Sequence, residues 1–306
     1  MILLTRTTAP LRRRPTKRWF LAGGTTFLLP AAVAGFHELL TRPRDWTPPL
    51  QLGADLQRRG IDQVFFLRHG NTGKADQDFE RSLTETGRAQ CRSAGATYGR
   101  RHLRPLYPKA LVSPAPRTME TAQLFVKAMY NHHHHNEHDD DEGDDDDDDN
   151  ECASTIQVQF VPVPALYDGT MQPAGSQLFA KLGYAPLRVY LEAANPTDRQ
   201  AAQTVLGAYA AAAVDALEQH VGMETHDDST TVSTAPSTLL VVAHAIYLPA
   251  AVLGVASLVG QSLTTDQNLD VVLSTNTKEA EGYLLDLETG QVTYLVRPES
   301  SSSSSS

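Results

Sequence analysis

The apolar run from Ile61 to Leu67 stops abruptly at Arg68-His69-Gly70, and it limits the possible folds more than any other stretch of the chain. A short continuous run of bulky apolar residues closed by a turn reads as a strand buried on both faces, which requires helices on both sides of a sheet. Leu111-Val112-Ser113, Ile156 to Val163, Leu239 to Ala243, Val271-Val272-Leu273, Tyr283 to Leu287 and Val292 to Val296 read as further strands, the last two joined by the turn Glu288-Thr289-Gly290. A helix opens at Leu83-Thr84-Glu85 with Thr84 as its N-cap and runs to His102. Others are expected over Thr118 to Tyr130, Pro186 to Leu191, Asp198 to Val221 and Leu248 to Val259. This alternation predicts an α/β fold in three layers, α/β/α, around a mostly parallel, doubly wound sheet. Active residues should then sit at the C-terminal ends of strands.

Not all of the 306 residues read as part of that fold. Residues 1–44 hold eight Lys or Arg against Glu38 alone, and an uncharged stretch from Trp19 to Phe36 contains Ala32-Val33-Ala34 before Gly35. This is the layout of a targeting or membrane-anchor segment, either a cleaved presequence or a retained anchor, with a soluble helix as the blander reading. Pro30 and the glycines weaken the stretch as a spanning helix. The expected location is an organelle (mitochondrion or plastid), or export or attachment to a membrane, in preference to the cytosol. Residues 45–60, with Pro48 and Pro49, read as a linker and 61–298 as one domain. An insert at 131–151 is rich in His and acidic residues, and 299–306 is a tail dominated by serine. Insert and tail lack the apolar content that offsets the entropy of ordering. Clustered His and Asp in the insert could chelate a metal, but homopolymer runs fix no coordination geometry, so it reads as a solvated insertion.

The net charge of −10 is misleading as an average, because the N-terminal segment and the insert carry large charges of opposite sign. Outside residues 1–44 and 137–151 the chain carries 18 basic against 23 acidic residues, so the domain is mildly acidic and lacks the basic stripe of a nucleic-acid binder. Cys91 and Cys152 are too few for a disulfide framework, lack metal-ligand spacing, and read as two unrelated thiols.

Four segments carry the chemistry. Arg68-His69-Gly70-Asn71-Thr72 follows the first strand, and Ser113-Pro114-Ala115-Pro116-Arg117-Thr118-Met119-Glu120-Thr121-Ala122 leads from the second into a helix. Val241-Val242-Ala243-His244 ends a third strand, and Leu83-Thr84-Glu85-Thr86-Gly87-Arg88 lies between the first two. Together these resemble the histidine phosphatase superfamily, with its Arg-His-Gly, its Ser-Pro-x-x-Arg-Thr-x-Glu-Thr-Ala and its late His. The resemblance covers Val64 to Val296 apart from the insert, and implies a phosphoglycerate mutase-like fold and a phosphatase working through a phosphohistidine on His69. The physical logic agrees. A phosphomonoester brings two negative charges and hydrolyses very slowly unaided, so a catalyst must neutralise charge and align a nucleophile. Neutral His69 can attack phosphorus. Arg68 and Arg117 offer permanently charged planar forks for phosphate oxygens. His244 would donate to an equatorial oxygen, Gly70 would let backbone approach the phosphate, and Asn71 would add a donor while Thr72 supports the loop.

Blander readings exist for each residue. Arg68 and His69 could be a strand-end ion pair, Arg117 could simply pair with Glu120 at i+3, and a lone His244 could be a satisfied core histidine. The proton donor for the leaving group is the least defined part. Asp168, in Tyr167-Asp168-Gly169, is the candidate in the region where many superfamily members place an acid. The branch with Asp directly after the second His is excluded by Ala245.

Asp76-Gln77-Asp78-Phe79-Glu80-Arg81-Ser82-Leu83-Thr84 is similar to the Asp-x-x-Arg-Pro-Leu-Thr stretch of small bacterial phosphohistidine phosphatases, and the Trp-rich segment of cofactor-dependent phosphoglycerate mutases is missing. The layout of a basic, apolar N-terminus before the domain also resembles the membrane-anchored mitochondrial protein phosphatase of the superfamily. The expected partner is a phosphorylated small molecule or phosphoprotein, with no cofactor, no metal and no nucleic acid, and with possible membrane attachment through the N-terminus. A mutase-type phosphotransferase and an inactive phospho-binding scaffold are the alternatives. Specificity is expected in the loops 73–80 and 167–184.

Overall fold

In the computed structural model, residues 52–131, 157–167, 174–222, 235–259 and 266–297 are described. The N-terminal segment 1–44, the insert from 132 onward, Cys152, Asp168 and the serine tail lie outside them. Among the described residues, no helix is long and apolar enough to cross a membrane.

The first strand is β1 (Ile61–Arg68), preceded by helix α1 (Leu52–Arg58) and followed by α2 (Glu85–Arg101), β2 (Leu106–Val112) and α3 (Pro116–Asn131). Then come β3 (Gln159–Pro162), α4 (Ala174–Leu182), α5 (Leu187–Leu191) and the long α6 (Pro196–Gly222). The chain continues through β4 (Ser237–Ala243), α7 (Tyr247–Leu258), α8 (Asp266–Ser274), β5 (Gly282–Asp286) and β6 (Val292–Leu295). The six strands form one sheet in the order β3-β2-β4-β1-β5-β6. The first four run parallel, β5 pairs antiparallel with β1, and β6 pairs antiparallel with β5. This is the mostly parallel α/β sheet that the alternation of strands and helices predicts.

The three-layer arrangement follows from the period-two alternation of the central strands. Val64, Phe66, Leu111, Leu239 and Val241 point into a core shared with α6 and α7, while Phe65, Leu67, Ala110, Val112, Leu240 and Val242 point into a second core with α2 and α3. Phe65 and Phe66 are fully buried on opposite faces, so truncating either to Ala should cost about 3–5 kcal/mol. Thr84 caps α2 by accepting a hydrogen bond from the Gly87 N–H at 3.0 Å, as its sequence position predicts.

The structure corrects four expectations about elements. Val271-Val272-Leu273 is part of helix α8, not a strand: a three-residue apolar run is too short to show its period, and Leu269, Val272 and Leu273 in fact lie on one helical face. The linker expected over 45–60 gives way at Leu52, because Leu52 and Leu56 of α1 bury themselves in the larger core. Strand β2 begins at Leu106, well before Leu111. Its pairing with β4 shifts register between Leu106 and Ala110, around Pro108, which has no N–H to give the ladder. Finally, the loop expected over 167–184 contains helix α4.

Candidate active site

Strands β2, β4 and β1 are neighbours, so their C-terminal ends bring Ser113, His244 and Arg68-His69 together. The His69 N–H donates to the Ala243 carbonyl at 3.2 Å and the Ser113 N–H to the Val242 carbonyl at 2.9 Å, fastening the three strand ends to one another. His69 is 7% exposed, His244 4% and Arg117 2%.

His69 Nδ1 lies 2.7 Å from its neighbour's carbonyl, Gly70 O. A carbonyl can only accept, so Nδ1 carries the proton and Nε2 keeps its lone pair. Burial, then the positive charge of Arg68, push the imidazole pKa down to about 3, so the ring is neutral at any ordinary pH. Gly70 is required for packing: a Cβ there would stand 2.6 Å from the Gly87 carbonyl and 2.7 Å from Cys91 Sγ. This is a close approach between loop and helix. The Asn71 side-chain oxygen accepts from the Thr84 hydroxyl at 2.8 Å, and the Asn71 N–H donates to Gln90 Oε1 at 2.8 Å, so this residue ties the loop to the start of α2. Thr72 accepts from Arg81 and supports the same loop.

Arg68 donates to the Thr277 carbonyl at 2.5 Å and to Glu279 Oε1 at 3.3 Å, its pKa lowered by burial. Arg117 stands in the first turn of α3, after Pro116, whose missing N–H is not needed there. The guanidinium donates to the Asp78 carbonyl and to Asp78 Oδ2, the latter at 2.7 Å. The pairing of Arg117 with Glu120 does not occur: Glu120 takes Arg88, at 2.5 Å. Among the described residues, the buried Nε of Arg68 and that of Arg117 have no acceptor. Unmet buried donors are rare because each costs about 1–3 kcal/mol, and two on cationic forks beside a neutral imidazole suit an oxyanion.

His244 lies 5.2 Å from His69, ring to ring, and its Nδ1 is 3.3 Å from Arg117 Nη2. A guanidinium cannot accept, so Nδ1 is the acceptor and Nε2 carries the proton toward Ser113 Oγ at 2.9 Å. Burial and then the neighbouring His69 hold His244 well below its ordinary pKa. As it stands, His244 therefore faces Arg117 as an acceptor, and donation from Nδ1 requires a second proton, which an arriving dianion would favour.

Sequence reasoning missed Asp78, Arg81, Ser113 and Tyr167 as members of this site. Asp78 lies in the 3-10 turn Asp78–Glu80, and Arg81 Nη1 holds its other oxygen at 3.1 Å. Burial pushes the Asp78 carboxyl up, but Arg117 and Arg81 outweigh it and hold it below the usual range. Tyr167 stands edge-on to both Phe79 and His244, at 5.2 and 5.5 Å, and its hydroxyl is 3.4 Å from Asp78 Oδ2. The similarity of residues 76–84 to a bacterial stretch was the available signal for Asp78 and Arg81. Among the described residues, no group of three or more His, Cys, Asp or Glu could hold a metal ion.

Comparison with known proteins bears out the motif resemblance. Residues 64–140 match the family model of the histidine phosphatase superfamily (branch 1). No curated protein matches the chain. Among solved structures, the chain is similar to the ecdysone phosphate phosphatase from Bombix mori in complex with tungstate, at 16% identity over 80% of this chain and 96% of that one, with a TM-score of 0.42. It is similar to mycobacterial glucosyl-3-phosphoglycerate phosphatase at 15% identity over 77% and 98%, TM-score 0.40. The protein histidine phosphatase SixA complexed with tungstate matches at 15% identity over 76% and 94%, TM-score 0.32. At such TM-scores the fold assignment rests on the chain's own strand order and layers.

Proposed function

We propose that this chain is a phosphatase that moves the phosphoryl group of a phosphomonoester or phosphoprotein onto Nε2 of His69 and then to water. The observation that carries this reading is the state of His69: neutral, with Nδ1–H directed at Gly70 O and Nε2 unprotonated. Arg68 and Arg117, each with a buried donor lacking an acceptor, supply the charge that a phosphoryl group needs. The Nε2 lone pair forms the N–P bond as the P–O bond to the leaving group breaks. Water then attacks phosphorus, the N–P bond breaks, and inorganic phosphate and the neutral imidazole are restored. His244 takes up a proton from solvent on Nδ1 as the dianion enters, donates a hydrogen bond through it to a phosphoryl oxygen and returns the proton to solvent as phosphate leaves, while Ser113 keeps the opposite edge of the ring in place.

Asp168 remains the proposed proton donor to the leaving oxygen. Its support is that Tyr167, the residue before it, packs against His244. The basic N-terminal segment reads, as before, as an address for an organelle or a membrane anchor, which imaging of the tagged full-length chain would test. The decisive experiment for the chemistry is pre-steady-state turnover of an aryl phosphate. The native chain should show a burst and an acid-labile, base-stable phosphoprotein, and His69→Ala should show neither. A native chain with no turnover and no phosphoprotein would leave the scaffold reading standing instead.

A further inference from the structure

Resting on the phosphatase reading, the turn between α8 and β5 bears on how Arg68 is made ready for phosphate. Residues 277–281 give four hydrogen bonds to the dipeptide Arg68-His69. The Glu281 carbonyl accepts from the Arg68 N–H at 2.9 Å, and the Ala280 N–H donates to the His69 carbonyl at 3.3 Å. The Thr277 carbonyl and Glu279 Oε1 take the two terminal nitrogens of the guanidinium, at 2.5 and 3.3 Å. With both of these engaged, the donor left without an acceptor among the described residues is the buried Nε. The form of the turn therefore sets how Arg68 is oriented in the site.

That form is not one the turn would adopt by itself. It is closed by the Glu281 N–H on the Lys278 carbonyl at 3.2 Å, and its third residue, Ala280, has a φ of 56°. This left-handed conformation suits glycine and is unfavourable for a residue with a Cβ. Ala280 is the one non-glycine residue with positive φ among the described residues, and it is fully buried. Strain of this kind persists only where the surroundings enforce it. The central part of those surroundings is the Glu281 carboxylate, itself only 3% exposed. Its Oε2 accepts from the Lys278 N–H at 3.2 Å and from the Tyr294 hydroxyl, and its Oε1 accepts from the Arg297 N–H at 3.3 Å. One carboxylate thus ties the two ends of the turn to each other and to β6 and the residues after it. Burying a charge is costly unless donors satisfy it, and three do so here.

We propose that Glu281 is a positioning residue, whose carboxylate holds this turn in the form that presets Arg68 for phosphate. Three roles for Glu281 predict three different results in the affinity for inorganic phosphate, measured by calorimetry. A positioning role predicts weaker binding in Glu281→Gln, by about tenfold, the scale on which partners that orient a binding side chain matter. A through-space charge effect predicts tighter binding, since the Glu281 charge is felt at Arg68 and would repel a dianion. A purely structural role predicts a lower Tm with the affinity of the folded chain unchanged. Tyr294→Phe removes one donor to Glu281 and leaves the carboxylate; it should weaken binding by a few-fold, and it carries the test if Glu281→Gln does not fold. In an Arg68→Lys background, which keeps the charge and lacks the fork, Glu281→Gln should cost about twofold at most. Unchanged or tighter binding in these variants, or a full loss in the Arg68→Lys background, would overturn the proposal. Turnover of an aryl phosphate by the native chain separates the two readings. If that chain binds phosphate and turns nothing over, the phosphatase reading falls and the same affinities still decide the role of Glu281. If it does neither, both fall.

Discussion

Arg68 and Arg117 are the same residue type facing the same site, yet they are held in different ways. Arg68 is fixed from behind by the Thr277 carbonyl and by Glu279, both on the loop that leads into β5. Arg117 is met from the front by Asp78, which belongs to a short exposed turn and brings both its carbonyl and its carboxylate. One arginine is preset by its support. The other already holds an anion, which on the proposed function must yield when a phosphoryl group enters. On the proposed function, a shared chemical role does not imply a shared mode of control: the carboxylate at Arg68 positions, and the carboxylate at Arg117 competes.

The largest expected effect tests what the two arginines have in common. Arg68→Ala and Arg117→Ala should each lower kcat/KM for an aryl phosphate by about 10²–10³-fold, the scale of losing a charged hydrogen-bonding partner. Much smaller losses at one position would show that the two walls are not equivalent in function. The next effect separates them by sign. Asp78→Asn should tighten inhibition by inorganic phosphate by about tenfold, since the internal competitor is gone. Glu279→Gln should weaken it by a few-fold, since Arg68 loses an orienting partner. If both inhibition constants move the same way, the contrast fails.

The smallest effect concerns the two histidines between the walls. Their folded-state pKa values are depressed below the unfolded value of about 6.5. Between that value and about 3 for His69, the unfolded chain binds more protons than the folded one, so stability rises with pH across this window and is lost as pH falls. Melting temperature should drop by several degrees, on the order expected for a few kcal/mol, between pH 7 and pH 5. The drop should be shallower in His244→Asn. Calorimetry of phosphate binding in buffers of different ionisation heat should also register proton uptake, because a dianion favours protonated His244.

The unequal legibility of the site follows from the same contrast. Arg68, His69, Arg117 and His244 are readable because each sits within a residue or two of a strand end or helix start that the local pattern already marks. What holds the two arginines is not readable in this way. Arg68 and Thr277 are 209 residues apart, and Arg117 and Asp78 are 39 apart, so only the closed sheet brings them together. Ser113 was visible inside its motif, but its hydrogen bond to His244 depends on β2 and β4 being neighbours. The fold class was legible because the central strands are apolar on both faces. Helix α8 was not, since Val271-Val272-Leu273 alone fits either period. The packing reason for Gly70 was not legible, as the contact is with Gly87 in a helix that begins fifteen residues further on.

The order of the strands has one more consequence. The described sheet ends in β3 on one side and β6 on the other, each only four residues long, and β3 finishes on Pro162. The long apolar strands that would template another chain are all interior. Unpaired backbone is thus confined to two short margins, one of them blunted by a residue with no N–H to offer. A candidate site whose strands lie in the middle of the sheet is also kept away from the places where molecules stick edge to edge. Self-association through added strands should be resisted while the sheet is intact, and should appear first under conditions that peel away the β5–β6 hairpin.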